Sequence, residues 1–587
     1  MTPTSFRFLK ALCVGVSALM VVAACGNNPT TTSTNLAADQ TLRFPLLDDF
    51  GTLDPAIADA ETDQEISQNM FNGVVKFDNN LNVVPDIASK MPVVSSDNLT
   101  YTFSLRHDVT FSNGDKVTSK DVLYSWNRAA AMSGAYGTSY GTNLAAIVGY
   151  GTASSNKAVG AALEKLLEAN DPSVVMSGLT APDDYTVKVQ LAFPAGWFLS
   201  AISLTGSTGQ LVDVNAVKQD FDNWWTNPAT AIGTGPYKMT SRVPKASVDF
   251  ASVSNWWGSP KPTITKVHLD IINDASTAIT KYEQGGYDIY GYGGYSNAPV
   301  ADVLRIQGTP SEKSQLLIHA KVRTTWLSFN MVSDNKRLAK GPFTLDGGQS
   351  AHDLRLAFAL AIDKKKLATV VCSDVVCEAA TGGLITKGLI GYLGDGADPL
   401  GAYDPAKAKS LLTGADPTGS KTKGLTYVYD PSNPLNKPTA EFLQSQWKDN
   451  LGVSVELQAV SHSAFIKSRL KGDYVLSRDG WQADYNHPQD WFDNLFSCSQ
   501  AKVGRGNDEA YCNPAMDAIT TAANAKSIND PATVNDYVKA GQMLVNDVVW
   551  ATIDYGTQPY LTQSYVKGMG YNGLYDFNWE GIRLLQH

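Results

Sequence analysis

Arg469 and Arg478 lie nine residues apart, and the second is followed closely by Trp481, Asp484 and Tyr485. These residue types suit recognition of opposite charges better than bond-making. A carboxylate can hold an ammonium, and a guanidinium can hold a carboxylate through its rigid fork of donors. Enclosing a zwitterion without such partners costs roughly 3–5 kcal/mol per orphaned charge. Each residue also has a plain structural reading: Asp484 as a cap, the arginines as solvated surface charges, Trp481 as core. Asp63, in the acidic stretch 59–65, is a further candidate for a cleft-facing carboxylate, beside its reading as a surface charge. The aromatic strip at residues 287–295 offers a candidate ligand-facing strand around Tyr292, with glycines that permit close backbone approach.

Signals for turnover are poor. The chain has no G-x-S-x-G elbow, no H-E-x-x-H and no dinucleotide fingerprint. The stretch 414–422 imitates a phosphate loop, but Ser420 breaks the required Gly-Lys-Ser/Thr ending, and it reads as a polar loop. The seven histidines are scattered, with no metal-ligand pair at helical spacing. We expect no catalytic residues, no metal and no cofactor.

The elements that must position these residues alternate along the chain. Residues 187–191, 266–271 and 453–457 show the period-2 pattern of half-buried strands. Residues 353–371 have helical spacing, as do 404–412, where Asp404 can cap and Pro405 can occupy the first turn. Intermixed strands and helices predict an α/β fold. The stretch 154–182 reads as a helix-containing surface insertion. With 587 residues the chain is long for one core, so two or three lobes are expected. Twelve Trp and 25 Tyr supply amphipathic rings for lining a pocket.

The first residues read as a leader. Arg7 and Lys10 precede a short apolar run to Ala24, too short to span a bilayer comfortably. Val22-Ala23-Ala24-Cys25 looks like a bacterial lipobox, with Cys25 as the lipidation site, and a polar tether follows to about residue 40. Losing Arg7 and Lys10 takes the net charge from −10 to −12, which argues against nucleic acid. The four remaining cysteines fall as Cys372/Cys377 and Cys498/Cys512, which in an oxidising space reads as two local disulfides; a four-cysteine zinc site is the alternative.

Several segments resemble the extracytoplasmic solute-binding proteins of family 5, the peptide and nickel group of ABC importers. Leu53-Asp54-Pro55, Asn69 through Val75, Pro85-Asp86-Ile87-Ala88, Tyr101 through Gly114 and Asp121 through Trp126 carry the N-terminal resemblance. Gly233-Thr234-Gly235-Pro236-Tyr237, Asn255-Trp256-Trp257-Gly258, Arg355 through Asp363 and Tyr403 through Leu412 extend it. The Gly480-Trp481-x-Ala483-Asp484-Tyr485 core is similar to that of the oligopeptide-binding members. The resemblance implies a bilobal, periplasmic-binding-protein-like clamp of type II, in the large peptide-binding class, with an extra subdomain in the first lobe. The implied division is a signal peptide at 1–24, the lipidated cysteine and tether at 25–40, and lobe 1 core at 41–83. The extra subdomain takes 84–205, more lobe 1 core 206–322, lobe 2 323–550, and the return to lobe 1 551–587. Two crossings, near residues 326–330 and near Trp550, would form a hinge.

By the same resemblance Asp484 receives a peptide's α-ammonium, and Arg478 and Arg469 face its carboxylate. The expected function is capture of short peptides by a monomer, anchored in the membrane through its N-terminal lipid on the extracytoplasmic side. The expected partners are the permease subunits of an ABC importer, with no nucleic acid. A nickel chelate or an oligosaccharide in the same fold is the second reading, and an extracellular hydrolase the third. Gln482 stands where enteric oligopeptide-binding relatives carry a cysteine, so the cysteine pairs here brace other loops.

Overall fold

The computed structural model describes residues 35–292, 298–332, 341–502, 506–574 and 577–587. Cys25 and the leader lie outside them, as do residues 293–297 of the aromatic strip. The fold is a mixed α/β, bilobal periplasmic-binding-protein architecture.

The first lobe is built on a four-stranded sheet in the order Thr41–Leu46, Lys266–Ile271, Ser247–Ser252, Tyr237–Val243. Alternation sets its buried face: Leu42, Phe44, Val267 and Leu269 are fully enclosed, with polar neighbours between them. The motif residues of this lobe do structural work. Asp54 is buried against Arg128, whose Nη1 donates to it at 2.8 Å, and the Trp224 indole N–H donates to it at 3.1 Å. Gly235 donates its N–H to the Met70 carbonyl at 2.7 Å, and a Cβ there would sit 2.5 Å from the Met70 carbonyl carbon. Only glycine permits that approach.

A second four-stranded sheet, in the order Val93–Val94, Thr100–Ser104, Thr186–Gln190, Leu179–Asp183, carries the helix Ser119–Tyr136. Thr118 and Asp121 close a capping box at the start of that helix. The stretch 154–182 does contain a helix, Gly160–Glu168, but its end becomes the strand Leu179–Asp183, which pairs into this sheet. It is part of the sheet's frame, not merely a surface insertion.

The second lobe hangs on a seven-stranded sheet in the order Ile289–Tyr290, Trp550–Thr562, Leu316–Phe329, Leu476–Gln482, Leu425–Tyr429, Val455–Ala459, with Cys377–Ala379 also on Trp550–Thr562. Leu316–Phe329 and Trp550–Thr562 run antiparallel along each other. At one end Trp550–Thr562 pairs with Ile289–Tyr290 of the first lobe; at the other, Leu316–Phe329 pairs with Leu476–Gln482 of the second. Their register breaks between Ala320 and Thr324, and again between Thr325 and Trp326. The main break lies upstream of residues 326–330, because Trp326 to Phe329 are already paired with Asp479 to Leu476.

The helical pattern at 353–371 resolves into two helices, Gly348–Leu360 and Lys364–Cys372. Asp363 restarts the chain by accepting from the Lys366 N–H. Asp404 caps Pro405–Ala415 in the same way. Cys372 is bonded to Cys377 and Cys498 to Cys512. Among the described residues no helix is long and apolar enough to cross a membrane, and no cluster of three metal-ligating side chains occurs.

Candidate functional site

A cavity of about 1000 Å³ lies between the lobes. The first lobe lines it with Asp59, Glu61, Tyr140 and Trp197, the crossing strand with Lys321 and Arg323, and the second lobe with residues from Gly480 to Gln500 and from Asp517 to Thr521. That volume suits an enclosed ligand of many atoms.

Asp484 sits just past the end of Leu476–Gln482, and its carboxylate accepts from the Tyr140 hydroxyl at 3.1 Å, across the cavity. Burial, and then the Asp59 carboxylate facing it, push its acid up to about 7. No described Lys or Arg comes within ion-pair distance of it. Asp490, fully buried, fixes this corner: it accepts from the Asp484 N–H and from the Trp481 indole N–H, each at 3.0 Å. Trp481 and Tyr485 both line the cavity, and the Tyr485 hydroxyl donates to Gln489 at 2.6 Å.

Arg478 lies one layer behind that surface. It is on the strand opposite Leu327, its Nε is buried with no hydrogen-bond partner, and a Cβ on Gly480 would be 3.2 Å from its Nη2. Burial, and next to it Arg323, bring its pKa down to about 10, while Asp479 and Asp554 act in the opposite sense. Arg323 itself lines the cavity, with no described carboxylate within ion-pair distance. Lys321, two residues earlier, pairs with Glu61 of the first lobe at 2.7 Å.

Three sequence candidates stand elsewhere. Arg469 is buried between Asp479 and Asp508, at 2.5 Å from the latter, and its guanidinium is committed to those acids away from the cavity wall. Its position nine residues before Arg478 gave no hint of two acid partners. Asp63 is buried and accepts from the Gly51 N–H at 2.7 Å; burial raises it to about 6, but it turns away from the cavity. Tyr292 is core of the first lobe, its ring 4.8 Å from Phe44 and 5.0 Å from Phe577 and its hydroxyl on the Glu65 carbonyl. Of the aromatic strip only Ile289–Tyr290 forms a strand, and Tyr287, Tyr290 and Tyr292 are enclosed, so the described part of the strip is packing and not a ligand-facing edge.

Arg323, Tyr140 and Asp490 were missed by sequence reasoning. Tyr140 and Arg323 come from segments without chemical pattern, and only the fold brings Tyr140 onto Asp484 and, through pairing with Gln482, Arg323 into the same cavity. Asp490, two residues after Pro488, reads in sequence as an ordinary first-turn acid of the helix Gln489–Leu495.

Residues 82–502 match the family model described as bacterial extracellular solute-binding proteins, family 5, middle. The chain belongs to this family. Among the relatives of this family-5 protein is the periplasmic murein peptide-binding protein MppA of Escherichia coli K12, 27% identical over 92% of each chain. The periplasmic oligopeptide-binding protein OppA of Salmonella typhimurium is 25% identical over 94% of each. Among solved structures, the unliganded open form of the murein tripeptide-binding protein MppA superposes with a TM-score of 0.76 at 25% identity, covering 94% of this chain and 99% of that one. The family-5 protein therefore shares both sequence and architecture with its relatives along nearly its whole length.

Proposed function

We propose that this protein captures short peptides in the interlobe cavity and hands them to the permease of an ABC importer, binding them without chemical turnover. The observation that carries the reading is Asp484: a carboxylate held by Tyr140, with no counter-cation among the described residues, in the same cavity as Arg323, which has no described carboxylate at ion-pair distance. A peptide's α-ammonium completes the first and its carboxylate the second, with Arg478 adding positive potential from behind Gly480. The names of the relatives, which bind murein peptide and oligopeptide, support the same class of cargo. Closure of the lobes about the crossing strands would bury the ligand, with the division at 322/323 and 550/551 marking the hinge.

The extracytoplasmic placement rests on the leader-like N-terminus and the periplasmic relatives, and Cys25 is the proposed lipid attachment site. The permease would then meet a monomer tethered at the membrane surface.

Calorimetry with Ala-Ala-Ala, its N-acetyl form and its C-terminal amide tests the reading. The free tripeptide should bind, and each blocked form should bind at least about tenfold more weakly. Equal affinity for the N-acetyl peptide would remove Asp484 as the amine site. Detergent partitioning of the Cys25→Ser variant expressed in a bacterium tests the anchor: it should move from the detergent to the aqueous phase.

A further inference from the structure

The cavity holds five carboxylates, of Asp59, Glu61, Asp484, Asp493 and Asp517, against two cations, Lys321 and Arg323. Glu61 and Lys321 neutralise each other. A zwitterionic ligand would use Arg323 and one acid at the Asp59–Asp484 face. Asp59 remains beside Asp484, and two further acids, Asp493 and Asp517, line the part of the cavity beyond Tyr485 and Gln489, without a described Lys or Arg at ion-pair distance.

The arrangement around them is built. Gln489, which accepts from Tyr485, donates to Asp493 Oδ2 at 3.0 Å, and Asn524 donates to the same oxygen at 2.7 Å. Asp493 Oδ1 takes no hydrogen bond from a described residue and is not sealed off. Asp517 accepts from the Cys498 N–H at 3.0 Å, beside the Cys498–Cys512 bond. Burial, helped by repulsion from Asp517, outweighs the lowering by the Gln489 and Asn524 hydrogen bonds and leaves the Asp493 acid above its ordinary value. Trp197 supplies a largely apolar wall from the first lobe, and Ser497, Thr520 and Thr521 supply hydroxyls.

We infer that this arm of the cavity selects a peptide with a cationic side chain at its N-terminal residue, the stem lying along Trp197 and the charge between Asp493 and Asp517. The inference rests on the peptide reading above and narrows it: Asp484, with Asp59 facing it, takes the α-ammonium, and Asp493 and Asp517 are the two acids left along the same cavity for a side chain. A long basic side chain fits because its methylenes pack on aromatic surface while its head meets carboxylates. An acidic side chain in that position meets two like charges in a partly enclosed site and is excluded.

Calorimetry with Lys-Ala-Ala, Ala-Ala-Ala and Glu-Ala-Ala on the wild-type protein decides it. The expected order is Lys-Ala-Ala tighter than Ala-Ala-Ala by about tenfold or more, with Glu-Ala-Ala weakest. Asp493→Asn with Asp517→Asn should bring the Lys-to-Ala affinity ratio to about one, and Asp517→Lys should reverse the order of Lys-Ala-Ala and Glu-Ala-Ala. Tight binding of Ala-Ala-Ala with no preference for lysine overturns this inference and leaves the peptide reading standing. Failure of all three peptides to bind overturns the peptide reading and this inference with it. Because the wild-type ratio alone is decisive, a variant that fails to fold does not blunt the test.

Discussion

The backbone N–H of Gly196, on the first lobe, donates at 2.7 Å to the carbonyl of Asn524, on the second. The same Asn524 holds Asp493 through its side chain, so a contact between lobes is wired to the wall of the cavity.

Gly196 leaves no room for a side chain. A Cβ there would lie 1.7 Å from the Lys526 carbonyl oxygen, a backbone atom that cannot swing aside. Gly196→Ala is expected to hold the lobes apart, weakening peptide binding by about tenfold or more while the melting temperature of the unliganded protein changes little. Small-angle scattering with saturating tripeptide should then report a larger radius of gyration than for wild type.

The acid of Asp484, near 7, makes binding pH-dependent. An ammonium binds the carboxylate form, so affinity is full above that value and is lost as pH falls through it. Between pH 7.5 and 5.5 the affinity for Ala-Ala-Ala is expected to drop by about 25-fold. Below pH 7 binding should release a proton, read as a difference in calorimetric heat between buffers of unequal ionisation enthalpy. A flat profile would count against Asp484 as the amine site.

Arg469 and Arg323 should fail in opposite ways. Arg469→Met strands the buried Asp479 and Asp508, and is expected to cost roughly 3–5 kcal/mol of stability in denaturant titration. Arg323→Gln should lower peptide affinity, and lower it less for the C-terminal amide than for the free acid, while stability moves by under about 1 kcal/mol.

Cys498 and Cys512 close a loop against the acidic wall, with a sequence separation of 14. Replacing both by Ser removes a constraint worth about 3 kcal/mol for a loop of that length. The melting temperature should fall, and the discrimination between Lys-Ala-Ala and Ala-Ala-Ala should narrow, because Asp517 is held by the Cys498 amide.

Much of this architecture was legible before any coordinates. Period-2 alternation marks Lys266–Ile271 as a strand residue for residue, and Asp404 with Pro405 marks the start of a helix, because both signals are local. Trp481, Asp484 and Tyr485 share a wall for a similar reason: they are neighbours in one short segment. Tyr140 and Arg323 could not be read in advance: Tyr140 reaches Asp484 only across the lobes, and Arg323 reaches the same cavity only by pairing with Gln482 from far away in the chain. Arg469 and Tyr292 show the converse. Residue type suggested a ligand contact, whereas two acids met only in the folded state claim the arginine and a ring of aromatics claims the tyrosine. The split of 353–371 into two helices turned on the single capping bond of Asp363, too small a signal to outweigh a long helical pattern.

The pairing of Leu561 and Thr562 with Ile289–Tyr290, and of Gln40 with Leu584, sets the order in which the molecule can be completed. The first lobe lacks part of its own framework until the last residues of the chain arrive, although most of it is encoded early. A chain threaded through a narrow pore from its N-terminus would thus emerge with that lobe unfinished, while the second lobe, contiguous apart from Trp550–Thr562, could consolidate first. Biogenesis would end with the tail sewing itself back beside the head, so a truncation of a few dozen C-terminal residues should be felt at the far end of the sequence.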